Sequence, residues 1–451
     1  MKLNFPKNLI KLANSLDNTL YAVGGVVRNF LIDGSISTDV DLCANISSVD
    51  FSSYLNQFGF TILAEYKRTG TVMFTDGKFK YEFTSFREET YAKGGSHTPT
   101  STKPTSDIKK DALRRDFKCN AVYYDIKNSE IVDPLGGLSD IENKVLDTVS
   151  KTVFNHDGLR LLRLARFAGQ LGFTPTSDVI KQAKINANNI LDISPERIYD
   201  EIKKILICDT AYPFSDKNGH YTAFKILDET TVLDRIFPEL TMGRNMAQRA
   251  DFHKYDVLEH GLRSMLYAPQ SIRLGALLHD IGKPICFKRD GMYYYHFIEG
   301  VKIAEKSLKK LKVDKKTIEQ VKFLVREHMV DLDCSMSEIK VRKYLVKNQK
   351  RLDELVAVKQ ADFRASLEIF DTAPTLIKWK KIIDKMNSDG TPWEIKDLLI
   401  TASDLIKIGY QGNLIGKELK RLHALCVSTP SKNNFDTLIE IAKSDIKVMQ
   451  I

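Results

Sequence analysis

Asp39 and Asp41 stand one residue apart in YAVGGVVRNFLIDGSISTDVDLC, residues 21–43, behind the glycine pair Gly24 and Gly25 and behind Arg28. In an extended segment two such acids project to the same side, because side chains alternate with period two. Their hard oxygens suit Mg²⁺, which proteins typically hold with one or two carboxylates plus substrate phosphates. The glycines allow a tight turn and a close backbone approach, and the helix that follows offers its N-terminal N–H groups to phosphate, with Arg28 on its first turn. Alone, the glycine pair is a turn and the two acids a solvated strand end. Together they point to metal-assisted chemistry on a nucleotide. Glu82 in KYEFTSFR is the candidate third acid, from a neighbouring strand. Farther on, DALRRDFKCNAVYYD offers Arg114 and Arg115 to triphosphate oxygens, which guanidinium groups bind bidentately, and Asp116 and Asn120 to a ribose hydroxyl.

These residues need elements to position them. Residues 20–150 alternate short β-rich runs (YAVGG, TVMFTDGKFKYEFTSF, CNAVYYDI) with turn signals and at least one helix, which predicts a small α/β domain. The stretch TYAKGGSHTPTSTKPTSDIKK, residues 90–110, predicts a mobile loop within it. From Asp157 onward apolar residues recur at helical spacing, in DGLRLLRLARFAGQLGF, SPERIYDEIKKIL, DVLEHGLRSMLYA and IGKELKRLHALCV, with almost no strand signal. The expected fold class is α+β, a mixed head carrying a long all-α body.

At 451 residues the chain is too long for one core, and 43% hydrophobic content supports several. Expected boundaries are 1–150 for the head, 151–245 for a helical neck, 246–365 for a second functional domain and 366–451 for a C-terminal helical region. The N-terminal MKLNFPKNLIKLANSLD lacks the apolar core and cleavage site of a secretory signal, and no long apolar run follows, so a cytoplasmic protein without membrane partners is expected. The six cysteines form no C-x-x-C pair, which predicts reduced thiols. Net charge is +9, and residues 301–360 hold 16 Lys/Arg against 9 Asp/Glu, a local surplus that suits a polyanion as well as a plain solvated helix face.

GGVVRN…DVD, RRDFKCNA, DPLGGLSDIENKVLDTV, HDGLRLLRLARF and SPERIYDEI occur in an order that resembles bacterial tRNA nucleotidyltransferases of the second class, the CCA-adding enzymes, and the related poly(A) polymerases. The resemblance is strong over residues 20–205, and DLLITASDLIKIGYQGNLIGKELKRL extends it toward the C-terminus. It implies a polymerase-β-like head in which Asp39 and Asp41 hold Mg²⁺ while Gly25, Arg28 and Arg115 contact the nucleotide. It also implies that CTP and ATP are selected by an acid and an arginine on a helix, here Asp157 and Arg160, with Arg163 and Arg166 near nucleotide and primer phosphates. Leu159, Leu162 and Phe167 are expected to bury the opposite side of that helix. The tRNA acceptor and TΨC arms would be the partner surface. Asn29 replaces the family's usual aspartate, His156 its glutamate, and KGGSHTP lacks a common arginine, which leaves open an enzyme that adds only part of CCA.

Four of the nine histidines, His260, His279, His296 and His328, fall in the helical body, with Asp280 beside His279. VLEHGLRSM…LLHDIGKP…YYHFIEG…VREHMVDLD…KQADF resembles the HD superfamily of metal-dependent phosphohydrolases, which adds Asp362 to the set. The motif is expected to place His279 and Asp280 at a helix end stopped by a glycine. Imidazole and carboxylate ligands suit Mn²⁺, Ni²⁺ or Fe, or Mg²⁺ if carboxylates dominate. The leading expectation is thus CCA addition to tRNA. A-only addition, poly(A) synthesis, or an HD phosphohydrolase acting on RNA ends are the alternatives. A P-loop hydrolase is excluded, because GNLIGKE lacks the G-x-x-x-x-G-K spacing and the following Ser/Thr.

Overall fold

The computed structural model describes residues 2–67, 69–92 and 99–449. The chain forms an α/β head followed by an all-helical body, and it divides into two compact units, Met1–Thr241 with Ser307–Asp314, and Met242–Lys306 with Lys315–Ile451.

Among its described residues the first unit has eleven strands: β1 (Tyr21–Val23), β2 (Asp39–Ala44), β3 (Thr61–Tyr66), β4 (Thr71–Thr75), β5 (Lys80–Ser85), β6 (Arg87–Thr90), β7 (Ser101–Pro104), β8 (Tyr123–Asp125), β9 (Glu130–Val132) and the short parallel pair β10 (Val145–Leu146) and β11 (Thr174–Pro175). Seven of them form one sheet in the order β3-β4-β5-β2-β1-β8-β9. Within that sheet the β2–β5 pair is parallel and the others are antiparallel. Between β1 and β2 runs helix α1 (Gly25–Asp33), entered through Gly24 at φ +78° and ended by Gly34, also left-handed, whose N–H returns to the Phe30 carbonyl. Along β2 the alternation is visible: Asp39 and Asp41 face out while Val40 and Leu42 are buried. Aromatic packing beneath the sheet fixes that face, with Phe51 stacked on Phe83 at 3.7 Å and Phe74 on Tyr81 at 4.9 Å.

Residues 90–110 depart from the loop expected of them. β6 and β7 pair in register from Arg87↔Pro104 to Thr90↔Ser101, and Ile108–Leu113 is helical. Thr and Ser outnumber Gly on the two arms, so the strands form despite a turn-rich composition. The expected mobility of the tip, 93–98, lies outside the described residues.

Helices α2 (Leu159–Leu171) and α3 (Pro195–Leu206) follow the head. α2 packs against the helix Gly219–Glu229 through two glycines: a Cβ on Gly169 would lie 2.1 Å from the Gly219 carbonyl oxygen, and one on Gly219 equally close to that of Gly169. The helices approach backbone to backbone.

The second unit is helical. Its central elements are α4 (Val257–Tyr267), α5 (Arg273–Leu278), α6 (Lys283–Asp290), α7 (from His296), α8 (Lys315–Glu327) and α9 (Leu352–Leu367). Two further cores lie C-terminal, one around Trp379 and Leu345, the other around Leu405, Tyr410, Leu422 and Leu438. Among the described residues no helix is long and apolar enough to cross a membrane. All six cysteines are free thiols.

Gly169→Ala forces a methyl into a backbone and should destabilise the first unit by about 1–3 kcal/mol, the usual cost of overpacking. Thermal unfolding followed by circular dichroism measures it; an unshifted transition would contradict the glycine crossing.

Candidate functional site

The two acids of β2 sit where β1 turns into α1. Gly24 is needed there twice over: its φ is left-handed, and a Cβ would lie 2.9 Å from Asp41 Oδ2, so only a bare backbone lets that carboxylate settle against the turn. Glu82 is the register partner of Asp41 across the parallel β2–β5 pair, which places the expected third acid beside the other two. Burial raises the pKa of Asp41, which Arg115 and Arg163 partly offset and Asp39 reinforces. Burial and then the charge of Asp41 raise Glu82. Clustered carboxylates that resist ionising together fit a divalent cation. Among the described residues they do not form a ready three-ligand cage. That suits an ion completed by substrate phosphates.

Next to these acids lies a cavity of about 430 Å³ lined by Gly24, Gly25, Asp41, Asp116, Asn120 and Asp157, and by seven arginines: 28, 114, 115, 160, 163, 166 and 197. Every nucleotide-binding residue expected from sequence therefore borders one space. What sequence reasoning missed is how the arginines are held. Asp111, fully buried on the helix Ile108–Leu113, accepts from Arg114 Nε at 2.7 Å, Arg115 at 3.3 Å and the Tyr123 hydroxyl at 2.8 Å. Asp116 accepts from Arg163 Nε at 2.7 Å and Asn120 Nδ2 at 3.0 Å. Burial alone would raise Asp116; Arg163 outweighs that and holds its carboxyl well below the usual range. Glu201 on α3 accepts from Arg166 Nε at 2.7 Å. Arg28 differs: it is 2% exposed and donates to the carboxamide oxygens of Asn29 and Asn120, and among the described residues no carboxylate bonds it. Local sequence shows none of these pairings except the i,i+3 and i,i+4 spacing of Asp111 to Arg114 and Arg115.

Two local expectations are corrected. Asp157 is not on a helix face with Arg160; at φ −150° it precedes α2, and its Oδ1 accepts from the Leu159 N–H at 2.9 Å. The short side chain makes this local bond just ahead of the helix, a competing use of Asp that leaves it two residues before the first helical residue. Arg160 sits in the first turn, donating to the Val153 and Arg114 carbonyls, and Arg197 approaches Asp157 at 3.6 Å. Leu159 and Phe167 line the cavity rather than burying the far side, whereas Leu162 is in the core. His156 stacks on Tyr91 with ring centroids 4.7 Å apart, which brings the β6 end beside Asp157.

The second unit gathers all six expected residues of the histidine set. His260 Nε2 and His279 Nε2 are 3.2 Å apart, as are His296 Nε2 and His328 Nε2. Asp362 Oδ1 lies 3.0 Å from His260 and 3.5 Å from His279, and Asp280 is within 3.2–3.5 Å of all four rings. His279, His296 and His328 each turn Nδ1 to a backbone carbonyl, of Ala276, Tyr293 and Val325, at 2.7–2.8 Å. That bond fixes the tautomer and aims Nε2 inward, the arrangement of metal-bound imidazole. Asp280 pairs with Lys283 at 2.7 Å, yet neither of its buried oxygens makes a directed hydrogen bond. Burial would lower His279, but Asp280 and Asp362 raise it to about 10, which shows how strongly the two carboxylates favour positive charge at this point. The donor set fits a divalent transition metal. His279 and Asp280 do follow a helix end, that of α5 at Leu278, but Gly282 opens α6 at φ −80° instead of stopping α5, and a Cβ there would lie 2.1 Å from the His296 carbonyl oxygen. Its smallness is used to bring α6 against α7, and so His296 to Asp280.

His279→Ala should leave purified protein without the divalent ion that elemental analysis finds in the parent, and chelation should lower the parent's melting temperature but not the variant's. An ion retained by the variant would contradict the assignment.

Comparison with known proteins places these features in context. The Poly A polymerase head domain matches residues 20–147, the probable RNA and SrmB-binding site of polymerase A residues 172–243, and the HD domain residues 256–363. An A-adding tRNA nucleotidyltransferase of Deinococcus radiodurans is 30% identical over 277 residues, 58% of this chain and 61% of that protein. This chain thus spans less than two thirds of that relative. A CCA-adding enzyme of Blochmanniella pennsylvanica is 26% identical over 342 residues, 72% of this chain and 79% of that protein. The Bacillus stearothermophilus CCA-adding enzyme, solved in complex with CTP, shares the fold with a TM-score of 0.64 over 98% of both chains at 19% identity.

Proposed function

We propose that the chain is a nucleotidyltransferase working through the poly(A) polymerase head that residues 20–147 match, and that it transfers CMP and AMP from CTP and ATP to tRNA 3′ ends, releasing pyrophosphate, in the cytoplasm. The observation that carries the reading is one cavity with Asp41 in its wall and seven arginines around it, Asp39 lying two residues away on the same strand and Glu82 being the register partner of Asp41. Asp39 and Asp41 would hold Mg²⁺, which when bound supplies Lewis-acid activation of the tRNA hydroxyl and neutralises charge at the α-phosphate. Arg28, Arg115, Arg163 and Arg166 hold the triphosphate. Gly24 and Gly25 let the backbone approach it. Asp157 and Arg160 offer an acceptor and a donor to a base edge, and because each is pinned by the backbone, small shifts suffice to pass from cytosine to adenine. The head comprises 1–150, the neck 151–245, an HD domain 246–365 and an RNA-binding region 366–451.

For the RNA itself, an open groove of about 840 Å³ in the second unit is lined by Lys343, Lys347, Lys350, Lys420 and Trp393, and those four lysines make no ion pair among the described residues. It suits a phosphodiester backbone. Charge reversal of Lys343 and Lys347 should weaken tRNA binding several-fold and flatten its salt dependence. Affinity for tRNA that ignores salt would contradict binding by phosphate.

The histidine and aspartate cluster supports a second activity, hydrolysis of a 2′,3′-cyclic or terminal phosphate on damaged RNA ends. Metal-loaded protein without phosphoesterase activity on such ends would remove it. The main reading is tested by offering tRNAs that end before CCA, at C and at CC, with labelled CTP or ATP. Extension of all three is expected. Extension of the CC-ending tRNA alone marks an A-adding enzyme, run-on addition of A marks a poly(A) polymerase, and no extension defeats the reading.

A further inference from the structure

Three guanidinium groups of the head cavity meet one aromatic ring. Arg166 lies 4.2 Å from the Phe167 ring centroid, Arg28 5.1 Å and Arg163 5.3 Å, all within the reach of a cation–π attraction. Their hydrogen bonds run elsewhere, to Asn29 and Asn120, to Asp116, and to Glu201. The ring is what the three share. Phe117 packs edge-on against it at 5.7 Å and 81°, which fixes its plane, and Phe167 is 6% exposed at the cavity wall. Three like charges in so small a volume repel one another, Asp116 and Glu201 offset two of them, and the π face attracts all three without adding a further negative charge.

We propose that Phe167 is a positioning residue for nucleotide binding: its π face gathers Arg28, Arg163 and Arg166 into one triphosphate clamp without adding a negative charge to those of Asp116 and Glu201, which already pair Arg163 and Arg166. The inference rests on the nucleotide reading of this cavity. Since the clamp acts on phosphate, it serves CTP and ATP alike and also inorganic tripolyphosphate, which has no base.

The test is isothermal titration of the full-length protein with ATP, CTP and tripolyphosphate, together with tRNA extension kinetics. Phe167→Leu keeps an apolar side chain and should raise Kd for all three ligands by about tenfold, with the loss in KM rather than kcat, whereas Phe167→Tyr restores affinity. Should the leucine variant not fold, 3,4,5-trifluorophenylalanine at 167 keeps the shape and removes the negative π face; affinity should fall without a change in melting temperature. Unchanged tripolyphosphate affinity in the fluorinated protein overturns the proposal. So does loss of ATP and CTP affinity alone, which would make the ring a stacking surface for the base. A parent protein that binds none of the three defeats the nucleotide reading instead.

Discussion

Positive charge concentrated around one small cavity is the constraint on which the first unit is organised. Seven arginines border that space, and three acids hold four of them from beneath: Asp111 two, Asp116 one and Glu201 one. Removing one partner of such a buried pair costs about 3–5 kcal/mol, because the other charge is left stranded. The acids therefore define where the guanidinium groups can point. They come from three places, the helix Ile108–Leu113, the turn after it, and α3, so the head and the following helices are bound together by electrostatics as well as by packing. An anion entering the cavity finds donors already oriented, which lowers the ordering cost of binding.

The second unit inverts the sign of the same idea. Four imidazoles present inward nitrogens and two carboxylates converge between them, a collection that repels itself unless something positive sits at its centre. Each unit thus contains a preorganised site whose charge the chain leaves incomplete. The backbone makes both possible by giving up side-chain volume at chosen points. Gly24 admits the Asp41 carboxylate, and Gly282 lets the turn after Asp280 meet the helix that carries His296.

The candidate ligand-facing residues are more legible in the sequence than those that hold them. Asp39 and Asp41 announce their shared face through strand alternation, and the histidine set is recognisable because its spacings survive in order. Glu82 could be placed beside Asp41 only as a guess, since strand register is a long-range property. Glu201 and Arg197 are illegible because their partners are distant in the chain, Phe167 reads only as core because it is an aromatic at helical spacing, and for Asp111 the sequence carries just the three- and four-residue spacing to Arg114 and Arg115. Asp157 lies two residues ahead of the helix expected to carry it, since a side chain that bonds the backbone at a helix start and one that rides on the helix look alike in sequence. The β6–β7 pair was hidden for a related reason: threonines on its arms serve turns and strands equally well.

The account stands on a divided labour in the head, with Asp39 and Asp41 carrying the metal chemistry and the arginines carrying the nucleotide. The most direct measurement is single-turnover extension of tRNA by an Asp39→Ala/Asp41→Ala protein, with metal-free nucleotide affinity determined alongside. Extension should fall by about a thousandfold or more, the several kcal/mol a bound metal supplies, while affinity holds. Extension at the parent rate would contradict the account.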